Sequence, residues 1–449
     1  MISYTNKFLI LIFSLLPLFL ITGPAIPDII ISFTTLYFII LYFLVEKKYS
    51  ILNERFFLIS IIFWISIIFI SFFAYSKFKS FQDSFIFIRL LLIPLCGYYF
   101  IFNKQQYLVR AIKIIFFVIL FVLVDSLYQF FNYSAENGFG SDLLGFKSNW
   151  YGRLTGPFKD ELVPGSYVAK FSFIGFIYFL LKKDSKNIKI CSIIYLVMIG
   201  VVCFVSGERM AIATFLLGML ILILFLKEKR FIFLSSLIFI IVINFTIYKL
   251  HPFYNDYKVI ESSQYHQGLK VEKYISCPDN SEKKDCKKTI SLQPSFIEVI
   301  KNFNSSAYGE IYNLSFEMFK SNPLTGVGIS NFKYVCENDE KYKSKMVNFN
   351  CASHPHNLYL QWLSEGGIFI FILFILYLYF LILIILKSEN KYFKIISLTT
   401  IIMLFWPLMS TGSLIKNWNG VLTFFIIALC LSITKLKIDI LKYYFYNLY

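Results

Sequence analysis

The sequence predicts an all-α polytopic membrane protein, with about twelve transmembrane helices and one long external loop between the ninth and the tenth. Three observations lead there. The 449 residues are 57% hydrophobic and 20% aromatic but only 16% charged, far more apolar than a soluble chain. Apolar runs of about 20 residues, the length that crosses a bilayer core, recur along the chain. Basic residues cluster in alternate connections, as the positive-inside rule requires of helices that cross in turn.

The first run, 8–22, is short and is broken by Pro17. Lys7, this run and the TGPAIPD that follows read as a first span and a tight turn, so no cleavable signal peptide is needed. Runs at 26–44, 56–74, 84–102 and 108–131 come next. An external loop, 132–165, is rich in Gly, Asn and aromatics and is too polar to cross. Runs at 166–182, 189–206, 210–226 and 231–248 lead to the long loop, and runs at 366–386, 394–410 and 416–434 follow it. The chain thus divides into spans 1–248, an external loop 249–365, and spans with a tail 366–449.

A net charge of +16 invites a nucleic-acid reading, but its distribution excludes one. Lys47, Lys48 and Arg55, then Lys104, Arg110 and Lys113, then Lys182 to Lys189, Lys227 to Arg230, Lys387 to Lys394 and Lys435 to Lys442 mark one face, with both termini on it. Loops 23–27 and 410–415 on the other face carry almost no base. Cys96, Cys191, Cys203 and Cys430 fall in apolar runs, where a buried thiol is ordinary. Cys277, Cys286, Cys336 and Cys351 share the long loop. Sequential pairing would close two short loops in an oxidising compartment; zinc is the competing reading, although neither pair has CxxC spacing.

The long loop starts with a solvated stretch, NSEKKDCKK, expected to be partly disordered. From Tyr308 to Lys320 apolar residues recur at helical spacing (Ile311, Leu314, Phe316, Met318, Phe319), predicting a helix on the membrane surface. Asn322-Pro323 and Gly326-Val327-Gly328 then stop it.

Chemistry concentrates in few places. His354-Pro355-His356-Asn357 puts two imidazoles where the loop re-enters a span, two residues apart and therefore facing one way if the segment is extended. No nearby Asp, Glu or free Cys completes a metal site; solvated loop histidines are the bland alternative. Arg153 and Arg209 fall at the same face, and arginine near hydrocarbon usually has a partner or a task. Its fork suits phosphate oxygens, with snorkelling to headgroups as the alternative. Arg89 and Asp125 are expected at similar depth, as a structural ion pair or polar contact or else as cavity lining.

The motifs RLTGPFKDE, SGERMA, NPLTGVGISNF and HPHNLYLQWLSEGG, in this order, resemble the bacterial O-antigen ligase and O-antigen polymerase superfamily of inner-membrane glycosyltransferases. TGPAIPD and WPLMSTGSLIKNWN are similar to it as well. The resemblance covers most of the chain. It implies a helical fold whose periplasmic loop caps a cavity, a glycan donor on undecaprenyl pyrophosphate, and an acceptor hydroxyl on lipid A core or on another lipid-linked glycan. The ligase pattern maps onto His356, Asn357 and Gly367; the further glycine that often follows is replaced by the run Ile368 to Ile370. The family's phosphate-binding arginines map onto Arg153 and Arg209, with no metal or cofactor.

The implied chemistry is consistent. A neutral imidazole suits a general base, and a pyrophosphate leaving group needs charge stabilisation rather than a proton. Direct displacement inverts the anomeric carbon without the carboxylate pair of a retaining glycosidase. His354 and Asn357 are expected to support His356. Trp150, Tyr151, Tyr359 and Trp362 are candidates for stacking on sugars or for interfacial anchoring. A transporter or flippase of lipid-linked sugars is the alternative. It predicts charge near mid-membrane and polar access from both faces, whereas the polar residues here gather on one side.

Overall fold

The computed structural model describes residues 2–134, 138–148, 153–255, 258–260, 265–266, 269–275, 290–294, 296–346 and 350–437. The first apolar run is two short helices. α1 (Ile2–Ser14) stops where Pro17 enters the next turn, and α2 (Leu16–Ile21) resumes with that proline in its first turn, where the missing N–H costs nothing. α3 (Ala25–Ile39) continues as a π turn to Val45. α4 (Arg55–Ser71) follows, then α5 (Lys77–Ile86) and α6 (Ile88–Leu95), which run on to Ile101. α7 (Gln105–Phe131) ends in a small hairpin, β1 (Tyr133–Ser134) with β2 (Gly138–Phe139). α8 (Pro164–Leu180), α9 (Lys186–Val205), α10 (Arg209–Phe225) and α11 (Arg230–Leu250) complete the first half.

The long loop opens with α12 (Pro252–Asn255) and, unanticipated by the sequence reading, an antiparallel sheet. Its strands are β3 (Lys258–Ile260), β4 (Tyr265–His266), β5 (Leu269–Ile275) and β6 (Ile290–Pro294), and β5 pairs with each of the others. NSEKKDCKK, Cys277 and Cys286 lie outside the described residues. After α13 (Phe296–Lys301), the expected helix appears as α14 (Ala307–Ser321), capped by the Ser306 hydroxyl. Its Ile311, Leu314 and Met318 are buried with Val327, Phe332, Val335, Cys336 and Tyr342 in a core distinct from that of the bundle, while Phe316 is exposed. α15 (Phe332–Asn338) and α16 (Glu340–Lys343) belong to this unit, which the Cys336–Cys351 disulfide closes, Cα to Cα 5.8 Å.

α17 (Leu358–Leu386) begins eight residues before its apolar run was expected to, because Asn357 caps it there. α18 (Lys391–Leu404) and α19 (Asn417–Ile433) end the bundle. Every residue of α19 from Gly420 onward is buried, so it is the central post, packed against α6, α18 and α3. Among the described residues six stretches are long and apolar enough to cross a membrane: Ala25–Val45, Lys77–Ile101, Gln105–Phe131, Lys186–Val205, Lys227–Leu250 and Leu358–Leu386. α4, α10 and α19, at 17 residues each, are shorter and also apolar. The chain is a multi-pass helical membrane protein.

Candidate active site

Polar residues gather at the end of the bundle where α8, α10 and α19 begin and α14 meets α17. His354 is buried, its Nδ1 2.9 Å from the Ser353 hydroxyl and its Nε2 3.2 Å from the Thr411 carbonyl. A carbonyl can only accept, so Nε2 carries the proton and Nδ1 accepts from Ser353. Burial, the neighbouring His356 and Lys416 together hold His354 down to about 4. It is a neutral, fully engaged imidazole.

His356 differs. Its ring lies 4.1 Å from that of His354 and 5.7 Å, edge-on, from that of Tyr308 on α14. Among the described residues nothing hydrogen-bonds its ring nitrogens, and burial and then Lys416 lower its pKa from 6.5. The segment is not extended here: His356 has φ +54°, a left-handed conformation uncommon for a side-chain-bearing residue. A Thr411 N–H bond to the His356 carbonyl (2.8 Å) holds it. Asn357 next to it accepts from the N–H groups of Tyr359 and Leu360 (3.0 and 3.1 Å) and donates to the Pro407 carbonyl (2.7 Å). It orients backbone.

The NPLTGVG and LSEGG motifs are two sides of one contact. Gly367 has φ +70°, and a Cβ there would sit 2.3 Å from the Leu324 carbonyl oxygen. A Cβ on Gly326 would sit 2.4 Å from the Glu365 carbonyl carbon. With both side chains absent, the 323–328 segment presses into α17: Val327 N–H reaches the Ser364 carbonyl, Gly328 N–H that of Glu365, and Ile368 N–H that of Pro323, at 2.8 to 3.0 Å. The buried Glu365 carboxylate accepts from Phe332 N–H and from Gln361, which also donates to Ser413 (2.7 Å).

The other two motifs also meet. The Gln129 side chain accepts from Thr155 and Gly156 N–H (3.0 and 2.9 Å), and Gly156, φ +50°, leaves room for Ser126. Leu154 N–H bonds the Ser206 carbonyl in the SGER turn. Glu208 in that turn caps α8 by accepting from Gly165 and Ser166 N–H (2.7 and 3.2 Å). Burial pushes its carboxyl up to about 7, against these donors and the Arg153 charge, which favour the carboxylate. Arg153, half-buried, keeps an unpartnered Nε beside this group, and Arg209 opens α10, exposed.

The 405–419 segment joins the two regions. Phe405 accepts from the Tyr359 hydroxyl, Pro407 from Asn357, and Thr411 clamps both histidines. Trp406 lines a cleft of about 180 Å³ with Met210, Ala213, Thr214 and Leu217 of α10. Asn419 bonds Gly412 (2.8 Å) and accepts from Lys170 of α8 (3.2 Å), whose charge acts on Glu208. Arg89 makes an ion pair, but with Asp28 (2.9 Å) and not with Asp125; it also donates to Asn417. Asp125 accepts from Leu143 N–H (3.0 Å) and faces the 138–148 loop. Trp150 and Tyr151 lie outside the described residues. Tyr359 bonds a carbonyl, and Trp362 is buried in the core.

Sequence reasoning missed Lys170, Glu208, Tyr308, Thr411 and Lys416. Each is isolated in the sequence and gains a setting only from tertiary contact. SGERMA and IKNWN were the signals at hand, since a charge at the mouth of an apolar run is informative.

Compared with known families, residues 194–375 match the family model described as O-antigen ligase. That stretch contains SGERMA, NPLTGVGISNF and HPHNLYLQWLSEGG, so the family resemblance read from these motifs holds there. No curated protein matches the chain.

Proposed function

We propose, for a chain whose residues 194–375 match the O-antigen ligase family model, that it transfers a glycan from undecaprenyl pyrophosphate to a sugar hydroxyl of lipid A core or of another lipid-linked glycan. The reaction faces the periplasm from the inner membrane, needs no metal and inverts the anomeric carbon. The observation that carries this reading is His356: a neutral imidazole whose ring nitrogens have no hydrogen-bond partner among the described residues, in a strained turn, beside a second imidazole whose tautomer is fixed.

In this mechanism His356 takes the proton of the acceptor hydroxyl. That oxygen forms a bond to the anomeric carbon as the bond to the pyrophosphate oxygen breaks, and the pyrophosphate leaves with the electron pair. Arg153 and Arg209 stabilise the leaving charge, which removes the need for a general acid. Among the described residues the buried Arg153 Nε has no hydrogen-bond partner. His354, held neutral by Ser353 and Thr411, adds no competing positive charge beside the base.

The test is transfer from a synthetic undecaprenyl-pyrophosphate glycan in EDTA, with both acceptors offered, by wild type, His356→Ala, Arg153→Ala and Arg209→Ala. Wild type should make product and name its acceptor, with His356→Ala slower by about 10²- to 10⁴-fold. Intact donor binding with no product from either acceptor would overturn the reading in favour of a transporter.

A further inference from the structure

The 138–148 loop folds back on the end of α7 around a group of oxygens that the proposed transfer does not use. Asp125 and Ser126, both on α7, are fully buried, and Asp142, in the loop, is 3% exposed. Each carboxylate is half satisfied. Asp125 Oδ1 accepts from Leu143 N–H (3.0 Å), which brings the two aspartates to one place because Leu143 follows Asp142. Asp142 Oδ1 accepts from Leu144 and Phe146 N–H (2.9 and 2.7 Å). These donors favour the ionised form of both groups. The second oxygen of each carboxylate and the Ser126 hydroxyl are buried with no hydrogen-bond partner among the described residues. No basic side chain among those residues pairs with either aspartate; Lys159 lies instead over the Phe146 ring, 5.7 Å from its centroid. Buried carboxylates need a counter-charge, and three orphaned oxygens on one loop-to-helix contact ask for a ligand that serves them together.

Gly156 shapes the place. It has φ +50°, and a Cβ built on it would lie 2.6 Å from the Ser126 hydroxyl and 3.6 Å from Asp125 Oδ2, so the absent side chain leaves a cradle walled by two of the three oxygens. Gln129, further along α7, holds this turn still by accepting from Thr155 and Gly156 N–H. We propose that the cradle binds a hard divalent cation, calcium by preference, through Asp125 Oδ2, Asp142 Oδ2 and the Ser126 hydroxyl. The donors are all oxygen, which suits calcium and not zinc. Calcium takes oxygens at about 2.3–2.6 Å in an adaptable geometry, whereas magnesium demands a regular octahedron and gives up water reluctantly. Among the described residues no third acidic side chain or histidine joins the pair. Two carboxylates place the affinity in the weak range of extracellular calcium modules, a Kd of about 10⁻⁴–10⁻³ M. The bound ion fastens the 138–148 loop and the turn at Gly156 to α7. It takes no part in glycan transfer, which is still expected in EDTA, and the site stands or falls apart from the transferase reading.

The test uses the full chain in nanodiscs of zwitterionic lipid, stripped with EDTA and dialysed, and needs no turnover. Calcium chloride and magnesium chloride are titrated in by calorimetry, and melting is followed with and without millimolar calcium. Wild type should bind a single calcium in the stated range, magnesium about tenfold more weakly, and should melt at a higher temperature when calcium is present. Asp142→Asn keeps an acceptor for Leu144 and Phe146 but loses the charge, and Ser126→Ala loses only a hydroxyl. Each should weaken calcium binding about tenfold or more and cancel the melting shift. Glu317→Gln, at an exposed carboxylate on α14, should bind calcium as wild type does. No calcium-dependent shift in wild type overturns the proposal, as does calcium binding that Asp142→Asn and Ser126→Ala leave unchanged. A rise in stability in Asp142→Asn with no response to calcium in any variant would overturn it in favour of a proton held between the carboxylates. If Asp142→Asn does not fold, Ser126→Ala decides.

Discussion

His356 shows how one residue can be readable by type and unreadable by setting. Two imidazoles beside a span mark the place. The reason given for their common direction, an extended segment, is not the one the protein uses. A left-handed turn at His356, fixed by Thr411, brings the rings together instead, centroids 4.1 Å apart and tilted by 40°. Thr411 lies 55 residues beyond His356, so no local pattern announces it. Burial and Lys416 lower the His356 pKa, which means that the neutral base persists below the ordinary midpoint of 6.5. The acid limb of the pH profile of kcat/KM is accordingly expected below pH 6.5, and a limb at or above that value would remove His356 as the free-enzyme base. Asn357 caps α17, a setting the sequence reading did not assign to it, although Asn ahead of an apolar run is a helix-start signal.

At the scale of elements, the break in α17 matters most. Helical periodicity locates the apolar part of this helix, yet the sequence does not show that the turn before Gly367 belongs to it or that the 323–328 segment enters there. Two glycines in each motif are the visible trace; the close approach they allow is a tertiary fact. Gly367→Ala must accept both a left-handed φ and a Cβ 2.3 Å from the Leu324 carbonyl oxygen, backbone that cannot give way locally. A loss on the order of 3 kcal/mol is expected. Gly145, φ +89° with nothing within 4 Å, is the control, where Ala meets only the φ cost of about 1 kcal/mol. Melting in detergent separates the two, and equal melting temperatures would refute the contact. The sheet from β3 to β6 escaped notice for a different reason: its strands are short and charged, without a clean alternation.

For the whole molecule, hydropathy carried most of the information. It gave the membrane class and located the apolar helices of the bundle, because each must satisfy its backbone internally. It gave no account of the unit built on α14, whose core is separate and whose closure is covalent. Cys336 and Cys351 lie 15 residues apart, and a bridge over such a loop contributes about 3 kcal/mol. Both thiols should resist alkylation in membranes prepared without reductant. Cys336→Ser should lower the temperature at which 296–346 becomes protease-sensitive; labelling of both cysteines before reduction would sink this expectation.

The segment that clamps the histidines, receives Lys170 and adjoins α10 comes late in the chain, at 405–419. A growing polypeptide can insert its earlier helices in order and still hold His356 beside an imidazole whose tautomer is not yet fixed. The clamp on the two histidines therefore has a place in time as well as in space: it can close only once the 405–419 segment has been made.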